Sequence, residues 1–435
     1  MRTGGRISAA IAVLDDVLRR HQPVKVAVRD WGKRARYAGA GHRAWVSGLV
    51  LDALRRRNSL AHLMGAEDAR ALVLGALRHA WDWPVRDIEQ AAYDPHGPTP
   101  LNEAERGALI LAPDPTAPAH AQGDFPDWLS PHLQGACGED AVVEGQAMAA
   151  RADVDLRVNT LKTDPERAGK ALRTAGAQPS PLLLDGFRIP AADPTAREPR
   201  LEAIPAFSKG WVEVQDAGSQ IAAAAANVQP GEQVLDYCAG GGGKTLALAA
   251  AMAGKGQVHA YDVDGKRLSA LIPRLKRSGA HNVQLVRPED PDALASLANR
   301  MDCVFVDAPC TGTGTWRRRP DTKWRVTPAA LARRMAEQDE ILAAAAAYVR
   351  PGGRLVFATC SFLVEEGEDR VAAFLATHPD FSATSAAEAA IASGRLTSDG
   401  VAIVRAGSNP EGSVRLTPRR AGTDGFFFAT LLRQS

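Results

Sequence analysis

The stretch from Val234 to Thr245, Val-Leu-Asp-Tyr-Cys-Ala-Gly-Gly-Gly-Gly-Lys-Thr, constrains the fold of this chain more than any other. An aliphatic strand breaks into four glycines and restarts as an alanine- and leucine-rich helix. With no Cβ in the way, such a loop brings bare backbone N–H groups against a ligand. Two familiar glycine loops are excluded. A phosphate-cradling P-loop requires glycine where this chain has Cys238, and a dinucleotide fingerprint begun at Gly240 or Gly241 requires its third glycine at Thr245 or Leu246. What remains is a strand ending in Asp236, the glycine loop, and a second strand, Gln257 to Tyr261, closing on Asp262. An acidic side chain at that strand end suits ribose hydroxyls, which predicts a nucleoside-containing cofactor without a dedicated phosphate site.

A chain of 435 residues predicts two to three domains. Its formal charge of +2 confines any nucleic-acid contact to local patches. The five cysteines are odd in number and lack a C-x-x-C pair, which argues against a disulfide framework and against a zinc site, and for a reducing cytoplasm. The apolar run Ile7 to Leu14 stops at Asp15 and Asp16 without a signal-peptide pattern, and no run reaches the ~18 apolar residues of a membrane span. A soluble cytoplasmic protein with no membrane partner is expected.

Along the chain, residues up to about Leu111 read as an all-α bundle. Ile7, Ala10, Ile11, Leu14, Val17 and Leu18 share one helical face; Trp45, Leu49, Leu51 and Leu54 continue a second, ending in Arg55-Arg56-Arg57, read as a solvated face. Five prolines between Ala112 and Ala136 predict an irregular linker. From Asp153 to Trp211 short strands and helices suggest a small α+β module. Beyond it, strands at 234–237, 257–261, 283–286, 303–306 and 354–358 alternate with helices at 246–253, 265–277, 291–300 and 328–348 in the manner of a doubly wound parallel sheet. Thr327 is expected to cap the last of these helices, with Pro328 in its first turn. Val401 to Arg405 and Phe426 to Leu432 are expected to form an antiparallel strand pair.

Ligands bind beyond the carboxyl ends of strands in open α/β sheets, and two cysteines sit at such ends. Asp307-Ala308-Pro309-Cys310 follows one strand and Thr359-Cys360-Ser361 another. If those strands are neighbours, both thiols face the cleft that the glycine loop lines. Cys303 lies inside a strand, Cys137 in the connection and Cys238 in the loop itself. A thiolate adds readily to an electron-poor ring carbon, and Asp307 can supply a proton that makes the ring more electrophilic. Downstream, Trp316 to Arg325 interleaves aromatics with Arg317, Arg318, Arg319 and Lys323, beside Trp324, in what reads as a loop. Cations suit phosphates and tryptophan suits an unstacked base, so these are candidate RNA contacts.

These residues resemble the RsmB/Sun family of S-adenosylmethionine-dependent RNA cytosine-5 methyltransferases. The likeness rests on Asp236 to Thr245, Asp307 to Gly314, Arg318 to Trp324, Ala358 to Ser361 and Asp424-Gly425-Phe426-Phe427, with Leu156 to Lys162 and Val214 to Gln220 as further segments. It covers about residues 153–433. The helical N-terminus is similar, more loosely, to the NusB-like RNA-binding domain of members that act on ribosomal RNA. The resemblance implies a class I, Rossmann-like methyltransferase domain at 213–435, a small α+β RNA-binding module at 136–212, and an all-α NusB-like domain with linker at 1–135. It also implies that Cys360 attacks carbon 6 of a flipped cytosine, that Cys310 assists proton removal and release, that Asp307 orients or protonates the ring nitrogen, and that Lys244 contacts the base or the cofactor. The cofactor would lie on Cys238, Ala239, Gly240, Gly241, Gly242, Gly243 and Lys244, with Asp262, Asp290 and Asp307.

Two positions depart from the family pattern. Gly240 and Gly241 replace an alanine and a proline of the usual Ala-Ala-Pro-Gly-Gly-Lys-Thr, which loosens the loop because proline holds φ. The third strand ends in Arg287-Pro288-Glu289-Asp290 where an acidic residue should follow glycine, so either Glu289 or Asp290 could face the adenine, and Asp290 is the expected one. A transfer-RNA methyltransferase and a non-catalytic RNA-binding assembly factor with a degenerate loop are the competing readings. A dehydrogenase is disfavoured by the failed fingerprint.

Overall fold

The computed structural model describes residues 1–193 and 201–435. It divides into two compact units, one made mainly of Met1–Arg151 with Thr315–Val326, the other of most of the remaining chain.

The first unit is helical, as its periodicity predicts. Helices Thr3–Arg20, Val24–Arg34, Ala40–Arg55, Arg57–Met64 and Ala69–His79 lead its element order and enclose a core that includes Ile7, Leu14, Leu49 and Leu74. The linker expected at 112–136 is only partly irregular: short helices Ala119–Gln122 and Asp127–Leu129 begin just after Pro118 and Pro126, and Ser130–Cys137 carries Pro131 in its first turn. Arg55 is no solvated cation: it is buried and bonds Asp52 at 2.6 Å, and Asp52 also receives Trp81 Nε1 at 2.7 Å and Arg151 Nη2 at 2.6 Å.

Within residues 316–325, Arg317, Lys323 and Trp324 are corrected from RNA contacts to parts of a structural clasp. The segment contains the helical turn Pro320–Lys323, and both Arg317 and Lys323 are buried. Lys323 Nζ donates to the carbonyls of Arg55, at 2.8 Å, and Asp124; Trp324 Nε1 donates to the Leu54 carbonyl at 2.7 Å. The last carbonyls of a helix have no partner within it, and a cation there also suits the helix dipole. Lys323 and Trp324 therefore finish the helix Ala40–Arg55 and are not turned towards a ligand. Arg319 is exposed and Arg318 half-buried.

In the second unit, β1 (Val154–Val158), β2 (Gln178–Pro179), β3 (Gly186–Ile189) and β4 (Val212–Val214) form a small antiparallel sheet ordered β2-β3-β1-β4. The large sheet uses β5 (Gln233–Asp236), β6 (Gln257–Tyr261), β7 (Val283–Val286), β8 (Met301–Asp307), β9 (Val349–Thr359), β10 (Phe381–Thr384), β11 (Val414–Leu416) and β12 (Phe426–Arg433). Its order is β10-β12-β9-β8-β5-β6-β7, with β11 on β12. The five strands from β5 to β9 pair in parallel; β12 adds antiparallel to β9. Alternation along the strands divides the core: Val234, Cys303, Phe305 and Phe428 pack on one face, and Leu235, Val304, Val306 and Phe427 on the other.

Val401 to Arg405 is helical, within Ser398–Ala406, so the expected strand pair does not form; β12 pairs instead with β9, β10 and β11. The Thr397 side chain caps that helix on Gly400 N–H at 3.0 Å. The helix expected at 265–277 is two, Gly265–Ser269 and Leu271–Ser278, and the one expected at 291–300 ends at Ala295. Among the described residues, no helix is long and apolar enough to cross a membrane.

Candidate active site

The chain runs outward from β5 to β6 and β7, then returns so that β8 lies on the other side of β5. This reversal opens a crevice beyond the carboxyl ends of β5 and β8. The glycine loop leaves one of these strands and Asp307-Ala308-Pro309-Cys310 the other.

The two cysteines meet there. Asp307 registers with Ala358 across the parallel β8–β9 pair, which sets the following turns side by side. Cys310 Sγ and Cys360 Sγ are 3.3 Å apart, and both residues are half-buried. The hydrogen bond with Cys360, then burial, then the negative charges of Cys360 and Glu366 hold the Cys310 thiol well above its ordinary pKa. Cys310 therefore keeps its hydrogen in the resting protein, and either thiol can donate in the contact between them. Burial likewise raises Cys238, and takes Cys303 to about 11, so these two remain inert thiols.

Sequence reading missed the frame that fixes the two turns. Glu366 is fully buried and accepts from Thr311 N–H at 2.8 Å, from the Thr311 hydroxyl, and from Gln338 Nε2 at 3.1 Å. Gln338 also donates to the Pro309 carbonyl at 2.9 Å. Gly314 N–H reaches the Cys360 carbonyl at 3.0 Å, and Gly425 N–H the Gly314 carbonyl at 2.9 Å. A Cβ on Gly314 would lie 2.1 Å from the Gly425 carbonyl oxygen, so the two backbones touch only because both residues are glycine. Gln338 stands far from both cysteine motifs in sequence, and Glu366, although it follows Cys360 closely, meets Thr311 only across the fold; no local pattern marks either.

Lys244 Nζ donates to Asp307 Oδ2 at 2.6 Å and lies 5.1 Å from the centre of the Phe426 ring. Beneath the loop, Asp236 is fully buried; its Oδ2 accepts from Thr245 Oγ1 at 2.6 Å while its Oδ1 has no protein partner. Burial pushes the Asp236 carboxyl up to about 7. At Gly242, φ is 81° and a Cβ would lie 2.1 Å from Leu271 Cδ1, so only glycine fits this turn. The bare loop and the orphaned Asp236 oxygen fit a small polar ligand with hydrogens to donate.

Asp262 sits at the end of β6 as expected, but it also braces the loop: Oδ2 accepts from Gly240 N–H and Oδ1 from Asp264 N–H, each at 2.8 Å. Each carboxylate oxygen retains a second lone pair for a ribose hydroxyl. Gly241, where the family has proline, is secured by Arg274, whose Nη1 donates to its carbonyl at 2.5 Å and whose Nη2 reaches Glu213 at 2.9 Å. Asp290 is exposed, and its Oδ1 caps the short helix Pro291–Ala295 through Ala293 N–H at 3.0 Å.

A glycine loop after the first strand of a doubly wound sheet, acidic side chains at the neighbouring strand ends and paired thiols across β8 and β9 define a Rossmann-like methyltransferase. The family described as 16S rRNA methyltransferase RsmB/F matches residues 223–432. The chain is 31% identical over 317 residues to the probable ribosomal RNA small subunit methyltransferase B of Synechocystis, covering 71% of this chain and 67% of that protein. It is 33% identical over 324 residues to ribosomal RNA small subunit methyltransferase B of Citrobacter koseri, covering 73% and 68%. A solved methyltransferase homolog from Pyrococcus horikoshii superposes with a TM-score of 0.56 at 27% identity, over 72% of this chain and 97% of that one. The chain belongs to the RsmB/F family of ribosomal RNA methyltransferases, and S-adenosylmethionine is its methyl donor.

Proposed function

We propose that the protein methylates carbon 5 of a cytosine in 16S-type small-subunit ribosomal RNA through a covalent bond from Cys360 to carbon 6. The observation that carries this reading is the 3.3 Å separation of two thiols at the ends of neighbouring parallel strands. S-adenosylmethionine on the glycine loop supplies an electrophilic methyl carbon. The Cys360 sulfur adds as its thiolate to carbon 6 and breaks the aromaticity that makes carbon 5 unreactive. Lys244 and Asp307 hold a proton between them at 2.6 Å, where it can pass to the ring nitrogen and draw electrons from carbon 6. After transfer, Cys310, having released its own hydrogen to solvent once Cys360 is bound to carbon 6, takes the proton from carbon 5. The electron pair of that C–H bond re-forms the 5,6 double bond, the Cys360 sulfur leaves as thiolate, and the ring nitrogen returns its proton to the Lys244–Asp307 pair. Reaching both faces of the ring requires the base to leave its stack.

On this reading Lys244, Asp262 and Asp307 frame the cofactor with Cys238 to Gly243, whereas Asp290 acts as a helix cap. Arg318 and Arg319 contact RNA, residues 1–135 serve as an RNA-binding domain, and the enzyme works in the cytoplasm. Transfer of labelled methyl to RNA and denaturing electrophoresis test the chemistry together. Cys360→Ala is expected to abolish transfer, and Cys310→Ala to leave protein bound to RNA as a denaturation-resistant adduct. The reverse pattern would exchange the two roles and sink the mechanism.

A further inference from the structure

A cavity of about 290 Å³ lies within the second unit, lined by Arg157, Asp185, Gln220 and Arg395 among small residues of the helices Ala217–Ala224 and Gly243–Ala251. Asn227 to Pro230, the turn that leads into β5, also line it. The cavity is therefore at the amino ends of the strands, away from the crevice that holds Cys310 and Cys360.

Its polar groups are left half satisfied by the protein. Arg157 is 1% exposed; Nε donates to Gln215 Oε1 at 2.7 Å, but Nη1 and Nη2 have no protein partner. Asp185 Oδ1 and Gln220 Oε1, also buried, have none either. The acidic groups whose charge Arg157 feels most are Glu213 and Asp185, and both are already taken. Arg274 and Arg277 bond Glu213 at 2.9 and 2.5 Å, and Arg395 bonds Asp185. Burial lowers the Arg157 pKa to about 10, which still leaves the guanidinium charged at neutral pH. A buried cation without a counter-charge and two buried acceptors without donors are each costly. Water supplies no charge and a halide no donor. A group that is anionic on one side and carries a hydroxyl on the other supplies both a counter-charge and a donor for one of the acceptors.

We propose that this cavity binds a phosphate group, its oxygens gripped by Arg157 Nη1 and Nη2, and a hydroxyl of the same ligand donating to Asp185 Oδ1 or to Gln220 Oε1. Guanidinium and phosphate match in bidentate geometry. The hydroxyl is either that of hydrogen phosphate or a ribose hydroxyl beside the phosphate of a nucleotide or of RNA.

The test uses the full chain with saturating S-adenosylhomocysteine, so that the cofactor site is occupied. Inorganic phosphate, cytidine monophosphate and an RNA oligonucleotide without terminal phosphates are titrated separately while the melting temperature is followed. A saturable rise of about 5 °C at a hundredfold excess over Kd is expected from at least one of them, with affinity at least tenfold weaker in Arg157→Gln. A response to the first two ligands identifies a free phosphate, and a response to the oligonucleotide alone a backbone phosphodiester; either supports the site. If Arg157→Gln does not fold, the anomalous signal of tungstate in wild-type crystals locates the anion without a variant. Only ordered water between Arg157 and Gln220 in crystals grown with phosphate or tungstate, or shifts identical in wild type and Arg157→Gln, would overturn the proposal.

Discussion

Glu366 never touches the proposed chemistry, yet it determines where Cys310 stands, and its replacement separates position from charge. Glu366→Ala strands the part-buried Thr311 N–H and one bond of the Gln338 amide. At about 1–3 kcal/mol for each unsatisfied group, and towards the lower half because Thr311 is only partly buried, the loss is about 2–4 kcal/mol. A reactive group displaced by about 1 Å costs on the order of a hundredfold in rate, so kcat should fall by that factor with little change in KM for S-adenosylmethionine. Glu366→Gln keeps the shape and one accepting oxygen, and should cost about 1 kcal/mol. It also removes a negative charge that raises the Cys310 thiol, so the Cys310 pKa falls and its alkylation by iodoacetamide begins at lower pH than in wild type. Urea unfolding measures the first effect and mass spectrometry of the Cys310 peptide across pH the second. The reasoning is refuted if Glu366→Ala unfolds at the wild-type urea concentration, or if Glu366→Gln labels Cys310 with the wild-type pH profile.

Gly241 has φ outside the left-handed region, and its carbonyl rather than its N–H is held by Arg274. Gly241→Pro should therefore stabilise the protein by about 0.4–1 kcal/mol and tighten S-adenosylhomocysteine binding in calorimetry; weaker binding would show that the loop must flex. The Asp236 carboxyl, raised to about 7, contributes stability that is fully present below about pH 4 and is lost as pH rises through 7. The melting temperature of Asp236→Asn relative to wild type should thus climb between about pH 4 and 7 and level off above it; a flat difference contradicts the buried carboxyl. Lys323→Met leaves the Arg55 and Asp124 carbonyls without their donor and should cost about 2 kcal/mol in thermal unfolding while RNA affinity at low temperature is unchanged. Arg319→Gln should do the opposite, keeping stability but weakening RNA binding and reducing its log–log salt slope by about 0.7–0.9; equal affinity for wild type and Arg319→Gln removes that residue from the interface.

Sequence alone determined the local elements and the kind of chemistry. Strands such as 257–261 and 283–286 were legible to the residue because apolar runs bounded by turn residues have few alternatives. Thr327 and Pro328 marked a helix start for the same local reason, and the Thr327 side chain does cap Ala330 N–H. Val401 to Arg405 misled because a short apolar run fits strand and helix alike, and the decisive signal, Thr397 as a cap, lay outside it. The amino-acid order could put a cysteine at each of two strand ends, but only the packing of β8 beside β9 brought their sulfurs to 3.3 Å. Tertiary structure also reversed the reading of Lys323: a cation in a polar, aromatic segment looks solvated until the open end of a distant helix supplies the carbonyls that take up its hydrogens. Such pairings between residues far apart in the chain carry no local periodicity, so strand order, the Glu366 frame and the cavity around Arg157 became visible only once the chain was folded.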